Sequence, residues 1–273
     1  MKISVVVPNF NGAPYIGACL DSILIQKQDG LDLEIIVMDG GSTDGSGEII
    51  ASYAPDLTYW VSQADEGQSD ALNKGFARCS GEIMAWLCSD DLYLPGALKK
   101  ICVYFDHSPS TDIVYGDLLW IDADAHPVRP QREIDFDQEI FLWTYNFIPQ
   151  PATFWRRDIW LKSGGLDTSL VCAMDRDLWL KFIRLGARFG HISDYLAAMR
   201  SYPEQKTNRL KAQSNSEDIK ARELFLGRPV GPVEAATKHV LQRARRIAKR
   251  AARGAYWAQY PSPDPLAALV VRK

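Results

Sequence analysis

Two adjacent carboxylates, Asp90 and Asp91, follow an apolar run at residues 83–87 that has the pattern of a strand. Negative side chains next to each other repel, and the repulsion grows when they leave bulk water. A solvated turn would tolerate the pair, because Asp and Ser favour turns. A divalent cation would tolerate it as well, since Mg²⁺ and Mn²⁺ bind carboxylate oxygens. The pair alone leaves a turn and a metal site as alternatives.

Two other polar stretches follow apolar runs and could bind a ligand. PNFNG occupies residues 8–12, and DGGSTDGSG occupies residues 39–47. An Asp in such a loop can accept a hydrogen bond from a base or a ribose, and glycines let a planar base approach the backbone. The same residues are as typical of a tight loop in which Asp caps the next helix.

The elements that must position these loops alternate along the first hundred residues. Strands are predicted at residues 3–7, 33–38, 58–61 and 82–87, with helices at 16–24, 48–53, 70–77 and 95–105. Apolar strands separated by helices form a parallel sheet with right-handed crossovers. Ligands bind outside the carboxyl ends of such strands, so the three polar segments should converge at one edge. The predicted fold class is α/β, with a Rossmann-like, mostly parallel sheet flanked by helices.

The second half of the chain is less regular. Residues 112–121 predict one or two strands, and residues 177–185 predict a helix. Residues 148–155 contain two prolines, which predict a rigid extended connection.

The C-terminal part differs in charge from the rest of the chain. Residues 233–273 hold nine Lys or Arg against two Asp or Glu, a balance of +7, and the first 232 residues hold 22 against 32, a balance of −10. Residues 226–232 have the composition of a linker, and the apolar residues of 233–256 recur with a helical period. We predict a folded domain at 1–225, followed at 226–273 by a linker and a basic amphipathic C-terminal helix.

The composition narrows the class of protein. A hydrophobic content of 47% can supply a core, and no apolar run reaches the roughly 18 residues of a membrane-spanning helix. The N-terminus lacks a signal-peptide pattern and the five cysteines are scattered, which favours a cytoplasmic protein. The four histidines lack zinc-ligand spacing. Loops typical of dinucleotide-binding enzymes, P-loop kinases and acyl-transfer enzymes are missing from the sequence.

Six stretches, taken in order, resemble the family 2 glycosyltransferases with the A-type fold, a nucleotide-sugar-binding α/β domain. The matching stretches are VVVPNFNG (5–12), IIVMDGGSTDGS (35–46), ADEGQSDALNKGF (64–76), WLCSDDLYLPGAL (86–98), FIPQPATFWRRDIW (147–160) and MDRDLWLKF (174–182). They cover roughly residues 1–205. One such motif would say little, and the six in order carry the resemblance.

The resemblance implies a role for each matching polar residue. Those implied to line the nucleotide and the donor sugar are Pro8, Asn9, Asn11, Asp39, Ser42, Asp44, Glu66, Gly67, Gln68, Lys74 and Asp90. Among them, Asp39 matches the carboxylate that reads the base and Asp90 lies near the ribose. Asp91 matches the ligand of a divalent metal, Mn²⁺ or Mg²⁺, and Asp175 matches the catalytic base.

The chemistry of the residues agrees with this assignment. A nucleotide diphosphate would add negative charge to a pocket already lined by acidic side chains, so a cation is needed there, and it would also stabilise the leaving diphosphate. A single base opposite the leaving group is enough for one displacement with inversion. Asp175 and Asp177 both begin a predicted helix, where Asp also serves as a cap. The base is therefore Asp175, Asp177 or neither, and Asp175 is favoured.

The predicted function is that of an inverting, non-processive glycosyltransferase. It would move one sugar from a nucleotide-diphosphate sugar to a glycan or lipid-linked glycan acceptor, in cell-surface polysaccharide or glycolipid biosynthesis. Processive synthases resemble this family but carry a Gln-x-x-Arg-Trp motif and membrane helices, which this sequence lacks. The alternatives are a catalytically silent module that binds sugar nucleotides or glycans, and a sugar nucleotidyltransferase.

Two positions depart from the pattern of the family. Met174 stands where Glu often precedes the basic Asp, and Tyr202 stands where a His often joins the metal shell. The second departure predicts a thinner metal coordination. A sugar nucleotidyltransferase usually carries an Arg- or Lys-bearing glycine-rich loop after its first strand, and this sequence lacks that loop.

The basic helix at residues 233–256 has two predicted positions. It packs on the acidic surface of the folded domain with its charges solvated, or it lies on an anionic membrane surface, held mainly by electrostatic attraction. Nucleic acid is not an expected partner, because the basic stripe has little aromatic interleaving. The expected location is cytoplasmic, with peripheral membrane association as one possibility.

Overall fold

The apolar runs of the first half form strands at the predicted places. In the computed structural model, which describes residues 1–261 and 264–269, strands alternate with helices as expected. The elements are β1 (Lys2–Asn9), α1 (Ala13–Leu24), β2 (Asp32–Asp39), α2 (Ser46–Ser52), β3 (Tyr59–Ser62), α3 (Gln68–Phe76), β4 (Ile83–Trp86), β5 (Leu92–Tyr93) and α4 (Ala97–His107). Gly96 precedes α4 in a left-handed conformation, so the predicted start at Pro95 is two residues early.

The second half adds strands and helices that complete the sheet and cover it. They are β6 (Ile113–Ile121), β7 (Pro127–Gln131), α5 (Gln138–Trp143), β8 (Thr153–Arg156), α6 (Arg157–Ser163), α7 (Met174–Arg184), β9 (Phe189–Arg200), α8 (Lys206–Arg209), α9 (Lys211–Leu226) and α10 (Pro232–Ala252). Short 3₁₀ turns lie at Ile25–Asp29, Ala54–Asp56, Gln150–Ala152, Ala255–Trp257 and Ala267–Leu269.

Within the described residues, one nine-stranded sheet runs in the order β3-β2-β1-β4-β8-β6-β9-β5, with β7 paired to β6. The pairs β1–β2, β1–β4, β2–β3 and β6–β9 are parallel. The predicted mostly parallel, Rossmann-like α/β class is confirmed. The register pairs Asn9 with Asp39, so the first two polar loops leave the same edge of the sheet.

The prediction for residues 148–155 was wrong. Part of this segment is β8, a central strand that pairs antiparallel with both β4 and β6. Pro149 and Pro151 stand before the strand rather than in it, so no ladder hydrogen bond is lost to proline. The strand sequence TFWR carries the β-branched and aromatic residues that suit a sheet.

The two faces of the sheet carry separate apolar layers. Val6 on β1 packs with α3 and α7, while Val5 and Val7 point to the opposite layer with α1 and α4. Across the first layer, the rings of Trp86 on β4 and Trp179 on α7 stack with centroids 6.0 Å apart. This contact fixes α7 against the strand that leads to Asp90 and Asp91.

The amphipathic C-terminal helix is present as α10, and Arg246 of its basic face is buried. Its cations, and Arg253 just after it, pair with carboxylates of the segment between β7 and α5, in the contacts Arg245–Asp137 (3.1 Å), Arg246–Glu133 (2.6 Å), Lys249–Asp137 (2.6 Å) and Arg253–Asp135 (2.5 Å). The helix thus packs on the acidic surface as one alternative predicted. The expected solvation of its charges holds in part: Arg245 and Lys249 keep 44% of their side chains exposed while pairing with Asp137, whereas Arg246 is buried against Glu133.

The apolar residues of α10 face outwards. Val233 is 78% exposed and Val240 67% exposed, and Leu241 and Ile247 are also exposed. None of the helices in the described part of the chain is both long and apolar enough to cross a membrane. The division into residues 1–225 and 226–273 stays a prediction, and residues 262–263 and 270–273 of the second unit lie outside the described residues.

Candidate active site

The loops after β1 and β2 are joined through one buried carboxylate. Asp39 Oδ1 accepts hydrogen bonds from Asn9 Nδ2 (2.7 Å) and Ser42 Oγ (2.5 Å). Its Oδ2 accepts from the Ser42 main chain (3.0 Å) and from Ser62 Oγ (2.5 Å). Burial alone would raise the pKa of Asp39, but these hydrogen bonds outweigh it and hold the pKa below its ordinary value. Asp39 therefore stays ionised in the folded protein.

The hydrogen bonds of Asp39 bear on its predicted role toward a base. The residue is 2% exposed, and four internal donors occupy the roughly four acceptor positions of its carboxylate. A base N–H reaches it only if a serine or the amide of Asn9 turns away. Base recognition by Asp39 stays a prediction, while its organisation of the loops is a property of the structure.

Asn11 and Asp44 tie the same loops together from the outside. Asn11 has φ of 52° and accepts from the main chain of Thr43 at 3.0 Å. Asp44 accepts from the main chain of Ala13, at the start of α1, at 2.9 Å, and from Ser46 at the start of α2. Asn11 and Asp44 therefore hold the loops closed, a structural role that is common for Asn and Asp in turns. Pro8 is buried within β1.

The paired carboxylates lie where β4 leads into a turn. Asp91 is 3% exposed, and its Oδ1 accepts from the main chain of Arg200 on β9 at 3.0 Å. Asp90 is partly exposed, and its Oδ2 accepts from the hydroxyl of Tyr202 at 3.0 Å. Burial, followed by the neighbouring charge of Asp90, raises the pKa of Asp91 well above its ordinary value.

A divalent cation fits this pair. The guanidinium of Arg200 donates to the main-chain carbonyls of Asp90, Asp122 and Ala123, not to the carboxylates. Cys88, Asp90 and Asp91 offer ligand atoms that lie within 4.8 Å of one another. Burial raises the pKa of the Cys88 thiol, which therefore stays protonated and is a poor metal ligand. The two carboxylates are left as the oxygen ligands suited to Mg²⁺ or Mn²⁺. Tyr202 lies beside them as a hydrogen-bond donor, and burial raises the pKa of its hydroxyl above the ordinary value, so it keeps its proton.

The segment after β3 contributes one side chain to this centre. Gln68 donates from Nε2 to Cys88 Sγ at 3.3 Å and accepts from the ammonium of Lys206. Glu66 and Gly67 form the exposed turn that precedes α3. Lys74 pairs with Asp70 on its own helix at 2.6 Å and is half exposed, so it has a partner away from the paired carboxylates.

Asp175 lies at the first turn of α7, close to the Gln68 segment. Ser69, the neighbour of Gln68, donates to the sulfur of Met174 at 3.4 Å. Asp175 accepts from the side-chain amide of Asn146 at 2.8 Å and from the main chain of Arg176 at 2.7 Å. Burial raises the pKa of Asp175 to about 6, from an ordinary value of 3.8. This is the range in which a carboxylate can take a proton near neutral pH.

Asp177, the other candidate base, is held elsewhere. Its carboxylate forms an ion pair of 2.9 Å with Lys181, one turn further along α7. The structure therefore separates the two aspartates, as their spacing on a helix requires.

Three functional side chains were missed by sequence reasoning. Glu217 on α9 accepts from the main chains of Val171 (3.2 Å), Cys172 (2.8 Å) and Ala173 (2.9 Å), which fixes the three residues that lead into the helix carrying Asp175. Asn146 and Lys206 also reach the site from segments outside its motifs. An acidic residue 42 positions after Asp175 gives no local signal of this contact, since only the fold brings α9 to the start of α7.

The sheet, the carboxylate pair after β4 and the carboxylate of raised pKa on α7 together define a class of protein, the A-type glycosyltransferases. The chain belongs to glycosyl transferase family 2, whose profile matches residues 4–165. The family resemblance seen in the sequence is thereby confirmed.

Relatives support the same membership. The chain is 35% identical over 179 residues to an uncharacterized glycosyltransferase of Nostoc sp., an alignment that covers 61% of this chain and 54% of that protein. It is 36% identical over 161 residues to a PGL/p-HBAD biosynthesis glycosyltransferase of Mycobacterium tuberculosis, covering 57% and 59% of the two chains. These alignments span little more than half the length of the relatives.

Solved structures share the fold at low sequence identity. A mannosyltransferase of Pyrobaculum calidifontis, in complex with GDP-Man and Mn²⁺, aligns with a TM-score of 0.65 and 21% identity over 98% of this chain and 78% of that one. TarS residues 1–349 of S. aureus, in complex with UDP-GlcNAc, align with a TM-score of 0.65 and 19% identity over 92% and 74%.

Proposed function

We propose that this chain is an inverting, non-processive glycosyltransferase that moves one sugar from a nucleotide-diphosphate sugar to a hydroxyl acceptor. The observation that carries the proposal is Asp175, a carboxylate with a pKa of about 6 that is held by Asn146 beside the Gln68 segment. A base of this kind is what a single displacement at a sugar carbon needs. Membership of the family and the complexes of its structural neighbours with nucleotide sugars support the choice of donor.

The donor side of the reaction is assigned to the edge of the sheet. Asn9, Asp39 and Ser42 hold the loops against which the nucleotide would lie. Asp90 and Asp91 would hold Mg²⁺ or Mn²⁺, which supplies charge stabilisation for the diphosphate when it is bound. Lys206, whose charge acts on both Cys88 and Asp175, adds a fixed positive charge between the two halves of the site.

The acceptor side is assigned to Asp175. The proton of the acceptor hydroxyl moves to its carboxylate while the acceptor oxygen bonds to the sugar carbon and the carbon–oxygen bond to the diphosphate breaks. Attack from the side opposite the leaving group inverts the anomeric centre. The hydrogen bond from Asn146 orients the carboxylate, and Glu217 fixes the helix that carries it.

The acceptor is proposed to be a glycan or a lipid-linked glycan of cell-surface polysaccharide or glycolipid biosynthesis. A relative named for PGL/p-HBAD biosynthesis favours this class. We further propose a cytoplasmic location with contact to an anionic membrane surface through residues 233–256. The outward apolar face of α10 supports such contact. Because several basic side chains of the helix pair with carboxylates, fewer positive charges are available to the membrane than the sequence indicates.

The experiment that tests the function is donor turnover. A thermal-shift screen of UDP, GDP and their sugars, with and without Mn²⁺, identifies the donor, and slow hydrolysis of that donor by the purified protein shows catalysis. The anomeric configuration of the released sugar should be inverted. Metal-dependent binding without any hydrolysis would favour a catalytically silent binding module, and a retained configuration would exclude the single displacement.

A further inference from the structure

A cavity of about 360 Å³ lies between α10 and the loop that follows α5. Its lining includes the side chains of Tyr145, His239, Arg243, Arg246, Arg250 and Tyr256, here called the arginine pocket. The volume falls in the range of roughly 300–1,000 Å³ that is usual for small-molecule sites. The arginine pocket is distinct from the edge of the sheet that carries the candidate active site.

The pocket has more positive charge than its surroundings neutralise. Arg246 pairs with Glu133 at 2.6 Å, but Arg243 and Arg250 have no ion pair among the residues that the structure describes. Arg129 lies near Arg250 and likewise has no carboxylate partner in the described ranges. Burial, followed by the charge of Arg250, lowers the pKa of Arg129, which shows that these cations repel one another. An anion bound among them would relieve that repulsion.

The pocket also contains buried donors that are not used. Arg246 is 5% exposed, and its Nη atoms donate to Tyr145 and Glu133, while its Nε has no hydrogen-bond partner within the described chain. The buried Nε of Arg250 likewise has no hydrogen-bond partner within residues 1–261 and 264–269. A buried donor without a partner is unfavourable, so a ligand that supplies acceptor oxygens is favoured.

We propose that the arginine pocket binds the phosphate group of a phosphate ester. A guanidinium donates two parallel hydrogen bonds to phosphate oxygens, and two free guanidinium charges match a phosphate better than a single carboxylate charge. The apolar side of the ester would lie along Val240 and Ile247, which are exposed on the same helix. This chemistry belongs to a lipid headgroup or to a soluble phosphate ester.

The pocket is joined to the candidate active site by two consecutive residues. Tyr145 bonds Arg246 in the pocket, and the next residue, Asn146, donates to Asp175. An ester held in the pocket is therefore one residue along the chain from the side chain that orients Asp175. The binding site itself does not depend on the proposed transferase activity, and only its assignment to the acceptor rests on that function.

The test compares Arg243→Gln/Arg250→Gln with the charge-matched control Arg188→Gln/Arg209→Gln in the full chain. Neither pocket arginine has an ion pair in the described residues, so the variant should fold, which its melting temperature checks. Arg188 and Arg209 do not line the pocket and lie on the surface. The probes are glycerol 3-phosphate by calorimetry, and vesicles of phosphatidylglycerol or phosphatidylcholine by co-sedimentation, all in EDTA so that the carboxylate pair holds no cation.

We expect the wild type and the control to bind a phosphate probe, and the pocket variant to bind it at least tenfold more weakly. Binding of glycerol 3-phosphate supports a soluble ester, and binding of phosphatidylglycerol vesicles alone supports a lipid headgroup. Hydrolysis of the nucleotide-sugar donor without acceptor should be equal in all three proteins, which separates this test from that of the transferase activity. Equal binding by wild type and pocket variant, an equal loss in the control, or no binding to either probe would overturn the proposal.

Discussion

The side-chain amide of Asn146 lies 2.8 Å from Asp175 Oδ2 and donates a hydrogen bond to it. Asn146 comes from the loop after α5 and Asp175 from the start of α7, and they meet because Arg176 holds the end of α5 through the carbonyls of Phe141 and Thr144. Burial is the largest effect on the pKa of Asp175 and raises it, while the hydrogen bond from the main-chain N–H of Arg176 opposes this rise. The amide of Asn146 also donates to the carboxylate and favours its ionised form. The balance leaves Asp175 able to accept a proton near neutral pH.

Replacing Asp175 with Asn should remove the base while preserving its shape. Turnover should fall by about 10²-fold or more, the usual contribution of a positioned base, with donor affinity unchanged. The matched control is Asp177→Asn, whose parent side chain pairs with Lys181. Turnover and donor affinity, measured separately, decide the role: an equal loss in both variants, or a loss confined to donor affinity, would contradict it.

The pH dependence of turnover should follow the pKa of Asp175. Because the base must be ionised, turnover should rise with pH and reach half its limit near pH 6. Asn146→Ala removes a donor to the ionised form, so the midpoint should move to higher pH. A profile without a midpoint between pH 5 and 7, or a shift to lower pH in the variant, would argue against this assignment.

Asp91→Asn should abolish metal-dependent turnover and leave the fold intact. The folded-state pKa of Asp91 is raised, so without metal the wild type loses stability as the pH rises above the ordinary value of 3.8 and through the folded-state pKa. The variant lacks this loss and should melt in EDTA at pH 7 at or above the temperature of the wild type. Added Mn²⁺ should stabilise only the wild type against heat. Metal-dependent stabilisation and normal activity of the variant would show that Asp91 is not a metal ligand and that Asp90 and Asp91 only form a turn.

Glu217 is predicted to act through the position of α7. Glu217→Ala leaves three main-chain donors without their acceptor, which should lower the free energy of unfolding by about 1–3 kcal/mol. Turnover should fall about tenfold at unchanged donor affinity, because a free helix start misplaces Asp175 by a fraction of an ångström. Glu217→Gln keeps one acceptor oxygen and should recover part of the turnover. A loss of stability with full turnover would confine Glu217 to a structural role.

The buried pair of Arg246 and Glu133 should dominate the attachment of α10. Removing one partner by Arg246→Ala leaves a buried carboxylate and should cost roughly 3–5 kcal/mol of unfolding free energy. The double change to Arg246→Met and Glu133→Leu should recover most of it, since both charges are then gone. Chemical denaturation measures each value. A double variant as unstable as the single one would show that packing, not charge, is lost.

The ends of β1, β2 and β4 could be read from the sequence because each apolar run stops at a polar residue of the site. The pair Asp90–Asp91 was visible for the same reason. Strand β8 was missed, since its prolines look like a connection until the neighbouring strands are known. The contact of Glu217 with the segment before α7 and the ion pairs of α10 depend on which surfaces meet, and helical periodicity does not contain that information.

The position of β8 between β4 and β6 has a consequence for synthesis of the chain. The hydrogen-bonding edge of β4 is complete when Trp86 leaves the ribosome, but its partner begins at Thr153, 67 residues later. At about 5–20 residues per second, that edge waits roughly 3 to 13 s for β8. An open apolar edge can pair with other chains, so nascent molecules would depend on chaperones during this interval. Slower translation of residues 87–152 should therefore lower the yield of soluble protein.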